Sequence, residues 1–179
     1  SAHLPPTAFV SFLQNHDQIG NRAYGERLDQ LAKDQKGVDA ALAVMLLAPS
    51  PPLMFMGEEW GASQPFPFFC DFAGDLANAV REGRRREFKE QYIAGGDVDA
   101  IPGPLAEQTF RSAVLDWTAR GKPPHSQRLA LVTKLLAVRR EQIIPRLASS
   151  VAPGEASFVG TVLKAHWPLG GGELALIAN

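Results

Sequence analysis

The 179-residue chain contains a single cysteine, Cys70, which excludes an internal disulfide and any metal site built on several thiolates. No apolar run approaches the roughly 18 residues that a membrane-spanning helix needs, so no membrane partner is expected. Charge of neither sign dominates: 18 basic residues stand against 19 acidic ones, for a net charge of -1. A nucleic-acid binder carries a basic footprint, and that class of partner is excluded too. The chain lacks a Gly-rich phosphate loop, a dinucleotide fingerprint and a Ser-His-Asp ordering. His3, His125 and His166 lie far apart in sequence, with no neighbouring carboxylate cluster and no metal-ligand spacing. Neither a metal nor a cofactor is expected. There is no internal repeat and no low-complexity segment; with one thiol suited to a reducing compartment, the expected location is cytoplasmic.

What is present is a globular composition, 45% hydrophobic with 8% aromatic residues, enough to bury a sizeable core. Residues 8–13 form an apolar run that predicts a parallel-type strand covered on both faces. Residues 14–35 read as a long polar connection. Val38, Ala41, Leu42, Met45 and Leu46 recur at helical spacing, so 36–48 is expected to be an amphipathic helix ended by Pro49, Pro51 and Pro52. Leu53 to Met56 predicts a second short buried strand, making a β-loop-α-β unit with parallel strands.

Residues 57–74 form a loop too aromatic for a solvated linker. Asp75 is placed as the cap of a helix over 76–93, stopped by Gly95-Gly96. Residues 95–108 read as an exposed connection, and Leu129, Val132, Leu135, Leu136 and Val138 mark a helix from about 125 to 142. Two strands, Ser157 to Trp167 and Glu173 to Ala178, joined through Pro168 to Gly172, predict a hairpin. A domain boundary is placed near 150. Arg81, Arg84, Arg85, Arg86 and Lys89 are interleaved with Glu82, Glu87 and Glu90 and read as a solvated helix face.

The sharpest signal is the break from the run at 8–13 into Asn15-His16-Asp17. A histidine and an aspartate at the carboxyl end of a buried strand set a hydrogen-bond donor beside a charged acceptor, where α/β folds place their chemistry. Strand-to-loop caps use the same residue types.

Asn15-His16-Asp17 in this setting resembles the seventh-strand motif of the alpha-amylase clan of glycoside hydrolases, family 13. The fuller string from Phe12 to Arg22 is similar to the branch of that clan that cleaves maltooligosyl trehalose. Leu46 to Gly61, with its Met56-Gly57-Glu58-Glu59-Trp60 core, looks like the eighth barrel strand and its loop. Pro65 to Phe72, Val80 to Phe88 and Ser112 to Trp117 match in the same order, so the resemblance runs through most of the chain.

The resemblance implies an α/β fold: the C-terminal part of a (β/α)8 TIM barrel, its last two β/α units, over 1–150, followed by the start of an antiparallel β-sandwich domain over 151–179. Such a barrel needs about 250 residues, so the missing N-terminal part of the same enzyme is an expected partner. The clan's nucleophile and general acid would lie there, and the isolated chain is expected to be inactive. The implied substrate is a maltooligosaccharide ending in trehalose, cleaved at the adjacent α-1,4 bond.

By the same resemblance, Asp17 is the transition-state-stabilising carboxylate and His16 donates a hydrogen bond to the same sugar. Gln14, Asn15 and Gln18 orient the loop or touch substrate, and Arg22 either holds a carboxylate of the site or lies at the surface. The Glu58-Glu59 pair has a structural or substrate-contact role at the end of the eighth strand, with Glu58 as the inward, substrate-binding member. Adjacent residues diverge, and the clan's acid belongs to another strand, so the pair is not read as general acid and base. Trp60 either stacks on a glucose face or packs in the core, while Phe66, Phe68, Phe69 and Phe72 fold the loop down. A glycogen branching enzyme shares the barrel and a similar Met-Gly-Glu-Glu block, and a non-catalytic carbohydrate-binding fragment is the other alternative.

Overall fold

A computed structural model describes residues 4–91, 100–147 and 153–179. The chain divides into two compact units. One is built from the chain up to Leu13, from Ala32–Gly61 and from Arg120–Asn179; the other from Gln14–Leu31 and Ala62–Ala119.

In the first unit, α3 spans Gln35–Leu47 and starts where Asp34 accepts a hydrogen bond from Lys36 N through its side chain. The expected helix at 36–48 is therefore present. (Helices α1 His16–Gly20 and α2 Leu28–Leu31 precede it in the chain and belong to the other unit.) Leu42, Met45 and Leu46 share one face and pack against Val132 of α6 (His125–Val138), with Leu13, Met54 and Leu135 half-buried around them. Arg128 on α6 meets Asp39 on α3 at 2.9 Å beside this core.

The last helix departs from a plain α-helix. After Val138 a π-turn runs over Arg139–Ile143, followed by α7, Ile144–Leu147. Arg139, 6% exposed, points back to the end of α3 and donates to the carbonyls of Leu46 (3.0 Å), Ala48, Pro49 (3.4 Å) and Ser50 (2.9 Å). Helix ends leave carbonyls without intrahelical donors, and the prolines that follow have no N–H to offer. One buried guanidinium satisfies both needs. Burial holds its pKa below the ordinary arginine value.

The two strands expected at 8–13 and 53–56 are reduced to a single parallel bridge, Ser11 with Pro52, made by Ser11 N donating to Pro51 O (2.9 Å) and Leu53 N to Ser11 O (2.8 Å). Pro51 and Pro52 donate nothing, so the ladder cannot extend toward them. Nor are both faces covered: Phe9, Phe12, Leu53 and Met56 are exposed, and Val10 is 57% exposed. Leu13 and Met54 alone of these segments reach the helical core. The parallel direction is as expected; the buried sheet is not formed among the described residues.

The described sheet is antiparallel, in the order β1-β2-β3, with β1 Glu155–Val159, β2 Val162–Leu169 and β3 Gly172–Ala178. The single strand expected over Ser157 to Trp167 is thus split. Gly160, at φ +62°, turns the chain in the left-handed region that glycine adopts most readily, and Val159 pairs with Val162 across it. Pro168 and Leu169 continue β2, so the second turn is confined to 170 and 171.

Register separates the faces. Ala156, Phe158, Leu163, Ala165, Trp167, Leu174 and Leu176 share one face; Glu155, Lys164, His166 and Glu173 share the other. The apolar face and α3 residues including Ala40, Val44 and Leu47 line an open cleft of about 390 Å³. On the polar face His166 stands between Glu155 (3.3 Å) and Glu173 (3.4 Å). The expectation that this histidine has no carboxylate neighbours is corrected: hairpin pairing sets residue 155 opposite 166 although they are far apart in sequence.

The second unit holds α1, α2, α4 (Gly74–Gln91) and α5 (Glu107–Ser112) around Ile19, Ala23, Ala77, Phe88 and Ala113. Two short helices occupy what reads as an unbroken polar connection at 14–35. Helix α4 begins two residues early, so Asp75 lies in its first turn rather than at the cap, still well placed against the positive helix end. The expected end at 93 and the Gly95-Gly96 stop fall outside the described residues. The connection expected to be exposed is pinned at Pro104, which is buried and whose carbonyl accepts from Cys70 N at 2.8 Å. Phe66 and Phe69 meet edge to face at 5.5 Å, as do Phe69 and Phe110 at 5.3 Å, folding the aromatic loop down as expected. Phe68 and Phe72, however, remain exposed. Among the described residues no helix is long and apolar enough to cross a membrane.

Replacing Arg139 by Met keeps the bulk and removes the donors, stranding buried carbonyls. Leaving such groups unsatisfied costs about 1–3 kcal/mol each, so Arg139→Met is expected to lower stability by at least about 3 kcal/mol in denaturant titration. A loss below about 1 kcal/mol would show that the clamp is dispensable.

Candidate functional site

The predicted site residues fall in both units, and each group has its own construction. In the second unit, α1 is a five-residue helix, His16–Gly20, opened by a capping box. Asn15 Oδ1 accepts from Gln18 N at 3.0 Å, and Gln18 Oε1 accepts from Asn15 N at 3.2 Å. The motif satisfies two backbone donors reciprocally, so these two side chains serve the turn. Gln14 is 1% exposed and its Oε1 accepts from Leu28 N at 2.9 Å. It joins the start of α1 to that of α2. Arg22 donates to the Glu26 carbonyl, not to a carboxylate.

The loop beneath is fixed at Gly25. Its φ is +66°, and an added Cβ would lie 2.1 Å from Pro67 N, so only glycine fits there. Phe66 N donates to Gly25 O at 2.8 Å, Gln30 Nε2 to Ser63 O at 2.9 Å, and Arg27 Nε to Gln64 O. These bonds seam 25–30 to 63–66. At the other end of α1, Arg84 Nη2 donates to Gly20 O at 2.7 Å while its guanidinium lies over Phe88 (4.5 Å) and Phe68 (5.2 Å). This corrects the solvated-face reading at Arg84: its side chain is largely buried and caps α1. The Arg84-Phe88 spacing of four residues is the one sequence sign of it.

Outward, like the exposed Asn21, stand His16 and Asp17. Their side chains are 70% and 74% exposed, with His16 Nε2 3.2 Å from Asp17 Oδ1. The turn beneath them is braced at both ends, so a donor and a charged acceptor are presented side by side on a fixed base.

In the first unit, Gly57 at φ +83° leads into a short 3₁₀ turn over Glu58–Trp60. Glu58 is buried, as the inward reading of the pair expects, and its Oε2 accepts from Phe55 N at 3.0 Å. Trp60 is 1% exposed; His125 Nδ1 lies 2.9 Å from its carbonyl and Arg120 lies 6.0 Å from its ring. Of the two readings for Trp60, the structure takes core packing: a ring so enclosed has no face for a sugar. At Cys70 burial, and then the Asp71 charge, push the thiol pKa up. Among the described residues no cluster of His, Cys, Asp and Glu has metal-holding geometry.

No protein-family model matches the chain. Its fold matches a Salmonella typhimurium crystal structure assigned provisionally to the alpha amylases, with a TM-score of 0.91 and 42% identity over 100% of this chain and 30% of that one. A family GH13_31 enzyme gives a TM-score of 0.50 at 13% identity, over 94% of this chain and 33% of that one, a likeness of fold alone. The fold is thus similar to that of part of an alpha-amylase-type structure.

Sequence narrows it further. The chain is 41% identical over 177 residues, 96% of its length, to the malto-oligosyltrehalose trehalohydrolase of Deinococcus radiodurans. It is 39% identical to that of Arthrobacter ramosus over 86% of its length, and 39% identical to that of Saccharolobus solfataricus over 74%. The resemblance read from Asn15-His16-Asp17 and its flanks thus holds: the chain is similar to malto-oligosyltrehalose trehalohydrolases over nearly all of its length. It spans about a quarter of the length of these curated relatives, from 28% to 21% of each.

Removing the cap side chain tests the base of the site. Asn15→Ala is expected to cost about 1 kcal/mol in chemical denaturation, with Asn15→Asp recovering most of it. Equal stability of all three proteins would show that the capping box does not hold the turn.

Proposed function

We propose that this chain is the part of a malto-oligosyltrehalose trehalohydrolase that presents the transition-state-stabilising aspartate, Asp17, to the substrate. The observation that carries this reading is the exposed His16-Asp17 pair on a turn whose neighbouring polar side chains serve the backbone. The names of the relatives supply the substrate: a maltooligosaccharide ending in trehalose.

In chemical terms, glycosidic cleavage passes through an oxocarbenium-like state, and hydrogen bonds to sugar hydroxyls that tighten there lower the barrier. Asp17 accepts such bonds from the sugar beside the scissile bond, and His16 donates another to the same ring. Gln14, Asn15, Gln18 and Arg84 hold these two in place. Glu58 shapes the loop through its bond to Phe55 N. The nucleophile and general acid belong to the upstream part of the full-length protein, and turnover is assigned to that protein, not to this chain alone.

The same reading makes residues 1–150 the closing β/α units of a (β/α)8 barrel, with a β-domain starting at 151. The exposed apolar residues Phe9, Val10, Leu53 and Met56 suit such a neighbourhood, since in a complete barrel they would be covered by further strands and helices. The lone thiol Cys70 suits a cytoplasmic enzyme.

The test is product analysis. Full-length protein given maltooligosyl trehalose is expected to release free trehalose, and Asp17→Asn to reduce kcat by about a hundredfold or more without moving Tm, because the side chain is exposed. New α-1,6 branches on amylose with no trehalose would instead identify a branching enzyme. An Asp17→Asn variant within twofold of wild-type activity would remove Asp17 from the mechanism.

A further inference from the structure

Trp60, the ring that the sequence offers as a sugar platform, is enclosed. The second unit carries another aromatic ring, beside His16 and Asp17. Phe68 is 38% exposed, in a loop whose rings at Phe66 and Phe69 pair edge to face. Its backbone is fixed on both sides. Phe66 N donates to Gly25 O at 2.8 Å, Pro67 is fully buried against Gly25, and Cys70 N donates to Pro104 O at 2.8 Å. An exposed apolar ring on so constrained a segment needs little further ordering when a ligand lands on it.

Gly20 gives the place of Phe68 relative to the candidate site. It follows Asp17 by three positions and His16 by four, the two spacings at which residues on a helix are neighbours, with Cβ atoms about 5–6 Å apart. A Cβ built on Gly20 would lie 3.9 Å from Phe68 N and 4.0 Å from Phe68 Cα. Phe68 is thus packed on the side of α1 that also carries His16 and Asp17, one helical neighbour away. Arg84 ties the ring to the helix: it donates to Gly20 O at 2.7 Å, and its guanidinium lies 5.2 Å from the centre of the Phe68 ring. A glucose unit has hydroxyl edges and an apolar face of C–H groups. Asp17 and His16 suit the edges, and an exposed aromatic ring suits the face.

We propose that Phe68 is a substrate-binding residue that stacks on the C–H face of the glucose adjoining the one held by Asp17. The inference rests on the assignment of Asp17 to the sugar. It adds a ring that grips the maltooligosaccharide chain without taking part in bond cleavage.

The test is calorimetric titration of the full-length protein with maltotetraose, with trehalose release from maltooligosyl trehalose followed on the same proteins. Phe68→Leu keeps apolar bulk beside Arg84 and removes the ring, whereas Phe68→Tyr keeps the ring. Phe68→Leu is expected to weaken binding at least about fivefold and to raise KM with kcat little changed, while Phe68→Tyr stays within about twofold of wild type. An unchanged Tm in both variants separates lost stacking from lost fold. Absence of saturable maltotetraose binding, Phe68→Leu binding within about twofold of wild type, or an equal loss in Phe68→Tyr would each overturn the inference. The kcat of Asp17→Asn judges the Asp17 reading separately, so an unaffected Phe68→Leu beside an impaired Asp17→Asn removes the platform alone.

Discussion

Four backbone carbonyls at the end of α3 converge on the guanidinium of Arg139, and much of the first unit follows from that convergence. A helix that runs into Pro49, Pro51 and Pro52 ends with acceptors that its own chain cannot satisfy. The π-turn after α6 is the local device that accompanies the solution, in keeping with the tendency of such turns to mark constrained positions. Once the carbonyls are held, Pro51 and Leu53 are set to bridge Ser11, and the chain runs on to Gly57 and the buried Glu58.

The second unit shows the same economy at the candidate site. Four polar side chains in the string from Gln14 to Arg22 have a backbone group to serve: Gln14 takes Leu28 N, Asn15 and Gln18 cap each other's amides, and Arg22 donates to Glu26 O. Arg84 closes the far end of the helix. His16 and Asp17 are directed outward, and their exposure is a result of this division of labour. A ligand-facing pair needs its supporting residues locked by packing and hydrogen bonds, and the string supplies most of that support itself.

Several features were legible in the sequence. Helical spacing placed α3 and α6, and the resemblance carried by Asn15-His16-Asp17 and Met56-Gly57-Glu58-Glu59 led to the relatives that the chain matches. Other features were not, for identifiable reasons. The strands at 8–13 and 53–56 have strand composition, but pairing needs a neighbour on each side, and composition says nothing about whether one is present. The capping box at Asn15 and Gln18 was within reach, since its three-residue spacing is a known signature, but the polar run read as loop. Gly160 marked a turn inside an apparently continuous strand. The clamp by Arg139 and the cap by Arg84 join residues about 90 and 64 positions apart, and no local pattern encodes such a pairing.

The central claim is that His16 and Asp17 are the sugar-facing residues of a turn whose other polar groups are structural. It is tested most directly by the crystal structure of the full-length protein with trehalose bound. The expected result is a sugar whose hydroxyls lie within about 2.5–3.0 Å of the Asp17 carboxylate, with His16 on the same ring and the Asn15-Gln18 box unchanged. A bound sugar that leaves Asp17 and His16 in solvent and is gripped by other groups would contradict it.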